Sequence, residues 1–138
     1  MSESRQQAVV PERNVDISGG DFSDLPGSAW KTPPLTNYDG IVVTALRVMD
    51  RLRDQAGSFD FRPFGADIWM TVRYLGIRPY ASEPKHIFHV VGGEFELLLI
   101  IGLDVRTALI ACRGNREALQ HAVEQVEAAY SAAGMGVG

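Results

Sequence analysis

Two histidines, His86 and His89, sit in the stretch KHIFH, with Glu94 and Glu96 a short turn away. Imidazoles and carboxylates at this spacing can hold a metal or work as a general acid–base pair. The stretch has the composition of a strand, however, and along a strand residues three apart point to opposite faces. KHIFH therefore does not present both imidazoles to one ion, and no metal site is expected. His89 and Glu96 make the better pair. If Gly92-Gly93 is a two-residue hairpin turn, Val91 faces Glu94, Val90 faces Phe95, His89 faces Glu96 and Phe88 faces Leu97. A directly opposed carboxylate orients an imidazole and raises its pKa, as a general base requires. The same pair also serves as a polar contact at the rim of an interface.

Cys112 precedes a helix start in the run CRGN, where a thiol or an anion would meet the positive end of the helix. A small buried apolar residue fits that position equally simply. Arg62, Asp67, Arg78, Tyr80 and Lys85 crowd the ends of one strand and its connection, where loops often carry function, and an ion-pair network without activity accounts for them equally well. No Gly-x-Ser-x-Gly, His-Glu-x-x-His, Cys-x-x-Cys or Walker-type motif occurs. No catalytic residue, cofactor or metal ligand is expected.

The elements that must position these residues follow from periodicity. From Thr36 or Asn37, Val42, Ala45, Met49, Leu52 and Ala56 form a helical stripe, with Thr36 and Asp39 placed as a capping box and Gly57 as a stop. A second helix opens at Asn115, buries Leu119, Ala122, Val123, Val126 and Tyr130, and ends near Gly134. Between them the period is two. Ala66 to Leu75 alternates, His86 to Val91 follows, and Gly92-Gly93 leads into Phe95–Ile101. Gly102-Leu103-Asp104 reads as a tight turn into Val105–Cys112, and Phe59–Phe61 makes a weaker strand. The fold class is α+β, a four- to five-stranded antiparallel sheet between an N-terminal and a C-terminal helix. Residues 1–35, rich in Ser, Gly, Pro, Asp and Gln, read as a flexible arm; 36–134 form one domain and 135–138 a tail. Within the arm, Trp30 ahead of Pro33-Pro34 is the residue placed to dock, on its own domain or on another chain.

At 138 residues and 46% apolar, the chain can build one genuine core. A formal charge of -4 argues against a nucleic-acid or acidic-lipid partner. One cysteine excludes an internal disulfide, and there is neither a signal-peptide pattern nor a membrane-length apolar run. A cytoplasmic location is expected.

The unbroken run Leu97-Leu98-Leu99-Ile100-Ile101 means that both faces of its strand need cover. One face gathers Phe88, Val90, Phe95, Leu97, Leu99 and Ile101. The other gathers Trp69, Arg73, Ile87, His89, Glu96, Leu98, Ile100, Arg106 and Ile110, with Cys112 beside them. Four strands span about 19 Å and a helix with its side chains about 10 Å, so both helices are needed to cover the first face, the alternative being one helix on each. The second face then awaits another roof: a second copy, the chain's own arm, or a different protein. The expected function is a protein-interaction or scaffolding module, homodimeric or bound to a protein partner through that face. Two other readings are a small enzyme or ligand-binding protein with a pocket near His89 and Glu96, and a cognate chaperone or inhibitor of a secreted effector or toxin.

Overall fold

The computed structural model describes residues 11–17, 20, 22, 25, 29–52, 57–61 as strand backbone, and 70–132. In chain order the elements are α1 (Asp39–Leu52), β1 (Gly57–Phe61), β2 (Met70–Tyr80), β3 (Glu83–Val91), β4 (Phe95–Gly102), β5 (Ala108–Gly114) and α2 (Arg116–Ala132). The strands form one antiparallel sheet in the order β1-β2-β3-β4-β5, so neighbours in space are neighbours in sequence. This is the expected α+β architecture, with a helix before and a helix after the meander. No helix among the described residues is long and apolar enough to cross a membrane.

Both helices lie on one face. Ala45 and Val48 of α1, with Leu119, Ala122, Val123 and Val126 of α2, pack on Val72, Tyr74, Phe88, Val90, Leu97 and Leu99. Asn115 starts α2 as expected, because its side-chain oxygen accepts the Ala118 N–H at 3.0 Å. The start of α1 is less local than the sequence suggests. Asn37 Oδ1 accepts the Asp39 N–H at 3.1 Å, and the next amides are capped from the other helix. Glu127 of α2, only 3% exposed, accepts the Gly40 N–H at 2.8 Å and the Ile41 N–H at 3.4 Å. A carboxylate at a helix N-terminus is favourable, yet burying it costs more than those bonds return. Its pKa is pushed up to about 7, first by burial and further by nearby Asp39, against the pull of the two amides. Gly40 is required by this close approach: a Cβ there would meet Glu127 Oε2 and the Tyr130 Cβ, each at 2.9 Å.

Both glycine turns depart from the expected geometry, with opposite consequences. The first is longer than two residues. Gly92 N–H donates to the Phe95 carbonyl at 3.0 Å and the ladder closes at Val91↔Glu96. The register therefore moves by two positions, which leaves every residue on its expected face and sets His89 against Leu98 instead of Glu96. The reason is Phe95, whose ring folds back so closely that a Cβ on Gly92 would overlap it. The second turn spans residues 102–107. It is closed by Gly102 N–H to Thr107 O at 2.9 Å and Val105 N–H to Gly102 O at 2.9 Å, with Val105 at φ 55°. The pairing becomes Ile101↔Ala108 where a tight turn would give Ile101 against Val105. That is an odd shift, so it exchanges the faces of β5. Ile110 and Cys112 belong to the helix side, and Ala111 and Leu109 to the other.

The hairpin β2–β3 adds a third device. Ala81 and Ser82 both have positive φ, 51° and 69°, as a tight two-residue turn demands. Between Tyr74 and Ile77 the register slips by one residue at Gly76, φ 87°. This bulge turns the distal half of β2 over, so Tyr80 comes to the second face.

Candidate functional site

The second sheet face has a floor, a roof and a polar end. Its floor is Ile87, Leu98, Ile100 and Ala111, brought into one patch by the registers Ile87↔Ile100 and Leu98↔Ala111. The roof is the chain's own N-terminal arm. Ile17, Phe22, Leu25 and Trp30 bury themselves on that floor, with Val15, Leu75 and Tyr80 closing the margins. Trp30 is 1% exposed, and Ile87 and Leu98 are fully buried. Of the three roofs expected for that face, the described residues show the chain's own arm, and from residue 11 onward they pack on the domain where the composition of 1–35 reads as a flexible arm. The physical reason is spacing. The four apolar arm residues recur at neither two nor 3.6, so they form no element of their own and carry no periodic signal, but an extended chain crossing a sheet needs no period.

The arm is attached at both sides of the patch. Lys31 exchanges two backbone hydrogen bonds with Cys112, 2.7 and 2.9 Å, which makes it a short extension of the sheet beyond β5. Behind it Asn14 pairs with Lys31, the Val15 N–H donates to the Trp30 carbonyl at 2.8 Å, and the Thr32 N–H to the Arg13 carbonyl at 2.8 Å. On the far side Gly20 bridges to Tyr80, whose hydroxyl donates to the Asp16 carbonyl at 3.2 Å and whose ring lies 6.1 Å from that of Phe22. The bulge at Gly76 is what turns Tyr80 toward this contact.

A polar row continues the same face toward the Gly92-Gly93 turn. Arg73 Nη1 lies 3.0 Å from His89 Nδ1, His89 Nε2 lies 3.8 Å from Glu96 Oε2, and Arg113 Nε lies 3.2 Å from Glu96 Oε1. Arg113 also stands 6.0 Å above the Trp30 ring, joining the row to the roof. Guanidinium can only donate, so Nδ1 of His89 is the acceptor and the proton of the neutral ring sits on Nε2, facing Glu96. This engages the lone pair a general base would use, and 3.8 Å is beyond hydrogen-bond reach. His89 is 4% exposed, and the nearest groove, about 280 Å³ beside Glu96 and Arg113, is lined by the turn residues without it. The row ties strands together through a buried His89 flanked by the half-exposed Arg73, Glu96 and Arg113.

Among the residues expected at an interface, Ile87, Leu98 and Ile100 meet under the arm, and Arg73, His89 and Glu96 lie beside them. Arg106 does not join them: it sits in the 102–107 turn, where its N–H donates to Asp104 Oδ1 at 3.0 Å, and its side chain is exposed. Ile110 is corrected to the helix side by the odd shift of β5. Trp69, with Arg62 and Asp67, lies outside the described residues. Arg113, Ala111 and Tyr80 were missed as members of this face, because each owes its place to a bulge or a turn length. His86 occupies the opposite face, 3.0 Å from the Tyr74 hydroxyl, and burial lowers its pKa. Cys112 is 5% exposed, its thiol 3.4 Å from the Thr32 carbonyl and pushed up to about 11 by burial, so it is a packed apolar group and not a reactive one. Among the described residues no cluster of His, Cys, Asp and Glu could hold a metal ion.

Comparison with protein-family models, curated proteins and solved structures found no match to this chain.

Proposed function

We propose that this chain is a protein-interaction module whose second sheet face receives an extended apolar segment, and that two copies associate by exchanging their N-terminal arms across that face. The observation that carries this reading is the nature of the roof. An apolar floor of β3, β4 and β5 is closed by irregular chain and not by a helix or strand layer. Such a lid makes the same contacts whether it belongs to the same molecule or to its neighbour, so exchange costs little beyond the entropy of pairing two chains. The stiff Pro33-Pro34 pair between the arm and α1 favours one extended path for the link over many. A partner protein offering a similar extended segment would use the same floor, and cytoplasmic scaffolding is the setting the composition suits.

The test is solution mass as a function of concentration. A shift from 15.1 kDa toward twice that mass as concentration rises, abolished by Trp30→Ala, is the expected outcome. A single 15.1 kDa species at every concentration, identical in both proteins, would refute exchange.

The pocket reading finds less support. The Arg73–His89–Glu96–Arg113 row is occupied by its own members, and its neighbouring groove leaves His89 out.

A further inference from the structure

We propose that the outer edge of β5, beside the arm-covered face, is a second binding site for a short extended peptide that carries a carboxylate. Backbone groups along β5 alternate between inward and outward bonding. Thr107 bonds inward to Gly102 of β4, whereas Cys112 spends both its N–H and its C=O outward on Lys31. Period two then directs the N–H and C=O of Ile110 and Ala108 to the same outer edge, and no described residue pairs with them. The arm stops short of them for a chemical reason: Pro33 and Pro34 have no N–H to donate, so the ladder ends at Lys31 and the arm swings away.

The swing opens a groove of about 460 Å³ between the departing arm and the strand. Ala108 and Ile110 form one side and Pro33, Leu35 and Tyr38 the other, an apolar slot of ligand-pocket size. Arg13 is the one charged residue among the described residues of its lining, and no carboxylate among them forms a salt bridge with it. Two unused donor–acceptor pairs at strand spacing, an apolar slot beside them and a guanidinium nearby match one chemistry, an extended peptide with an apolar side chain and a terminal or acidic carboxylate. The concavity selects a single strand over a second copy of this sheet. An approaching sheet edge would bring its own flanking layers against the Pro33–Leu35 wall, while one isolated strand enters the slot.

The experiment titrates the full-length 15N-labelled chain with an acetylated tetrapeptide of alternating valine and serine, once with a free C-terminal carboxylate and once amidated. Saturable shifts centred on the Ala108 and Ile110 amides support the site, as does a preference of roughly tenfold for the carboxylate form. Arg13→Gln should erase that preference, and Ala108→Pro, which removes only an outward N–H, should weaken both peptides. Should the proline variant fail to fold, the carboxylate–amide comparison in the wild type and in Arg13→Gln decides alone. The proposal is overturned by an absence of saturable shifts at millimolar peptide, by shifts centred on Leu98 and Trp30, or by a preference that survives Arg13→Gln. Shifts of the same edge amides on raising protein concentration without peptide would assign the edge to a second copy and overturn it equally.

Discussion

Glu127→Gln isolates the buried cap that joins the two helices. In the folded chain the Glu127 carboxyl titrates near 7, against an ordinary value of 4.5. The folded state therefore holds its proton over a range in which the unfolded chain has released it. Stability changes with pH in proportion to protons bound by the unfolded state minus those bound by the folded state, so here it falls as pH rises. Integrating between the two values, the cost of ionising this group grows from about 1 kcal/mol at pH 5 to about 3 kcal/mol at pH 8, a loss on the order of 2 kcal/mol across the interval. Glutamine keeps the shape and an oxygen for the Gly40 N–H but has nothing to titrate. Urea unfolding of both proteins from pH 5 to 8 gives the difference in stability, and groups common to both, His86 among them, cancel. The variant should gain on the order of 2 kcal/mol relative to the wild type over that range, rising between pH 5 and 7 and levelling above. Parallel profiles, or a wild type that gains on the variant with pH, would show that burial does not dominate at this carboxylate and would refute the reasoning.

Trp30→Ala should cost about 3–5 kcal/mol by emptying the largest buried site of the roof, and it should speed labelling of Cys112 by a thiol reagent, since Thr32 and Lys31 shield that residue. Leu98→Arg places a charge at a fully buried position and should destabilise by several kcal/mol in denaturant titration, whereas Arg106→Ala, in the exposed 102–107 turn, should stay within about 0.5 kcal/mol. Gly40→Ala pushes a methyl group against Glu127 and Tyr130 and should cost about 1–3 kcal/mol, read as a lowered urea midpoint; no loss would mean that the interhelical contact is loose.

The element order was legible because it rests on period. The run from Leu97 to Ile101 and Leu119, Ala122, Val123 and Val126 of α2 are buried as their spacing demands, whereas on α1 the buried line is Ile41, Ala45 and Val48, with Val42, Met49 and Leu52 only half-buried and Ala56 outside the described residues. Turn length was not legible. Gly92-Gly93 looks complete as a two-residue turn until the Phe95 ring is placed, and nothing local distinguishes a turn ending at Asp104 from one ending at Thr107. The first error moved the register by an even number and cost only the direct His89–Glu96 pairing. The second was odd and sent Ile110 and Cys112 to the wrong side. The roof was the least legible part. Ile17, Phe22, Leu25 and Trp30 lie among residues of disordered composition, and only the surplus of apolar sheet signalled that something must cover it. Tyr80 reaches the face through a bulge whose single mark in the sequence is Gly76.

Lys31 lies against Cys112 in a two-bond antiparallel bridge that anchors the roof. Lys31→Cys tests it directly, because partners in a hydrogen-bonded antiparallel pair have Cα atoms about 5.5 Å apart, a span that a disulfide closes. Oxidised at low concentration and run without reductant, the variant should form an internal bond and remain a 15.1 kDa species; oxidised at high concentration it should yield covalent dimers that Cys112→Ser abolishes. Internal bonding at every concentration would retain the roof and refute exchange. Failure to form the 31–112 bond in either regime would contradict the account at its root.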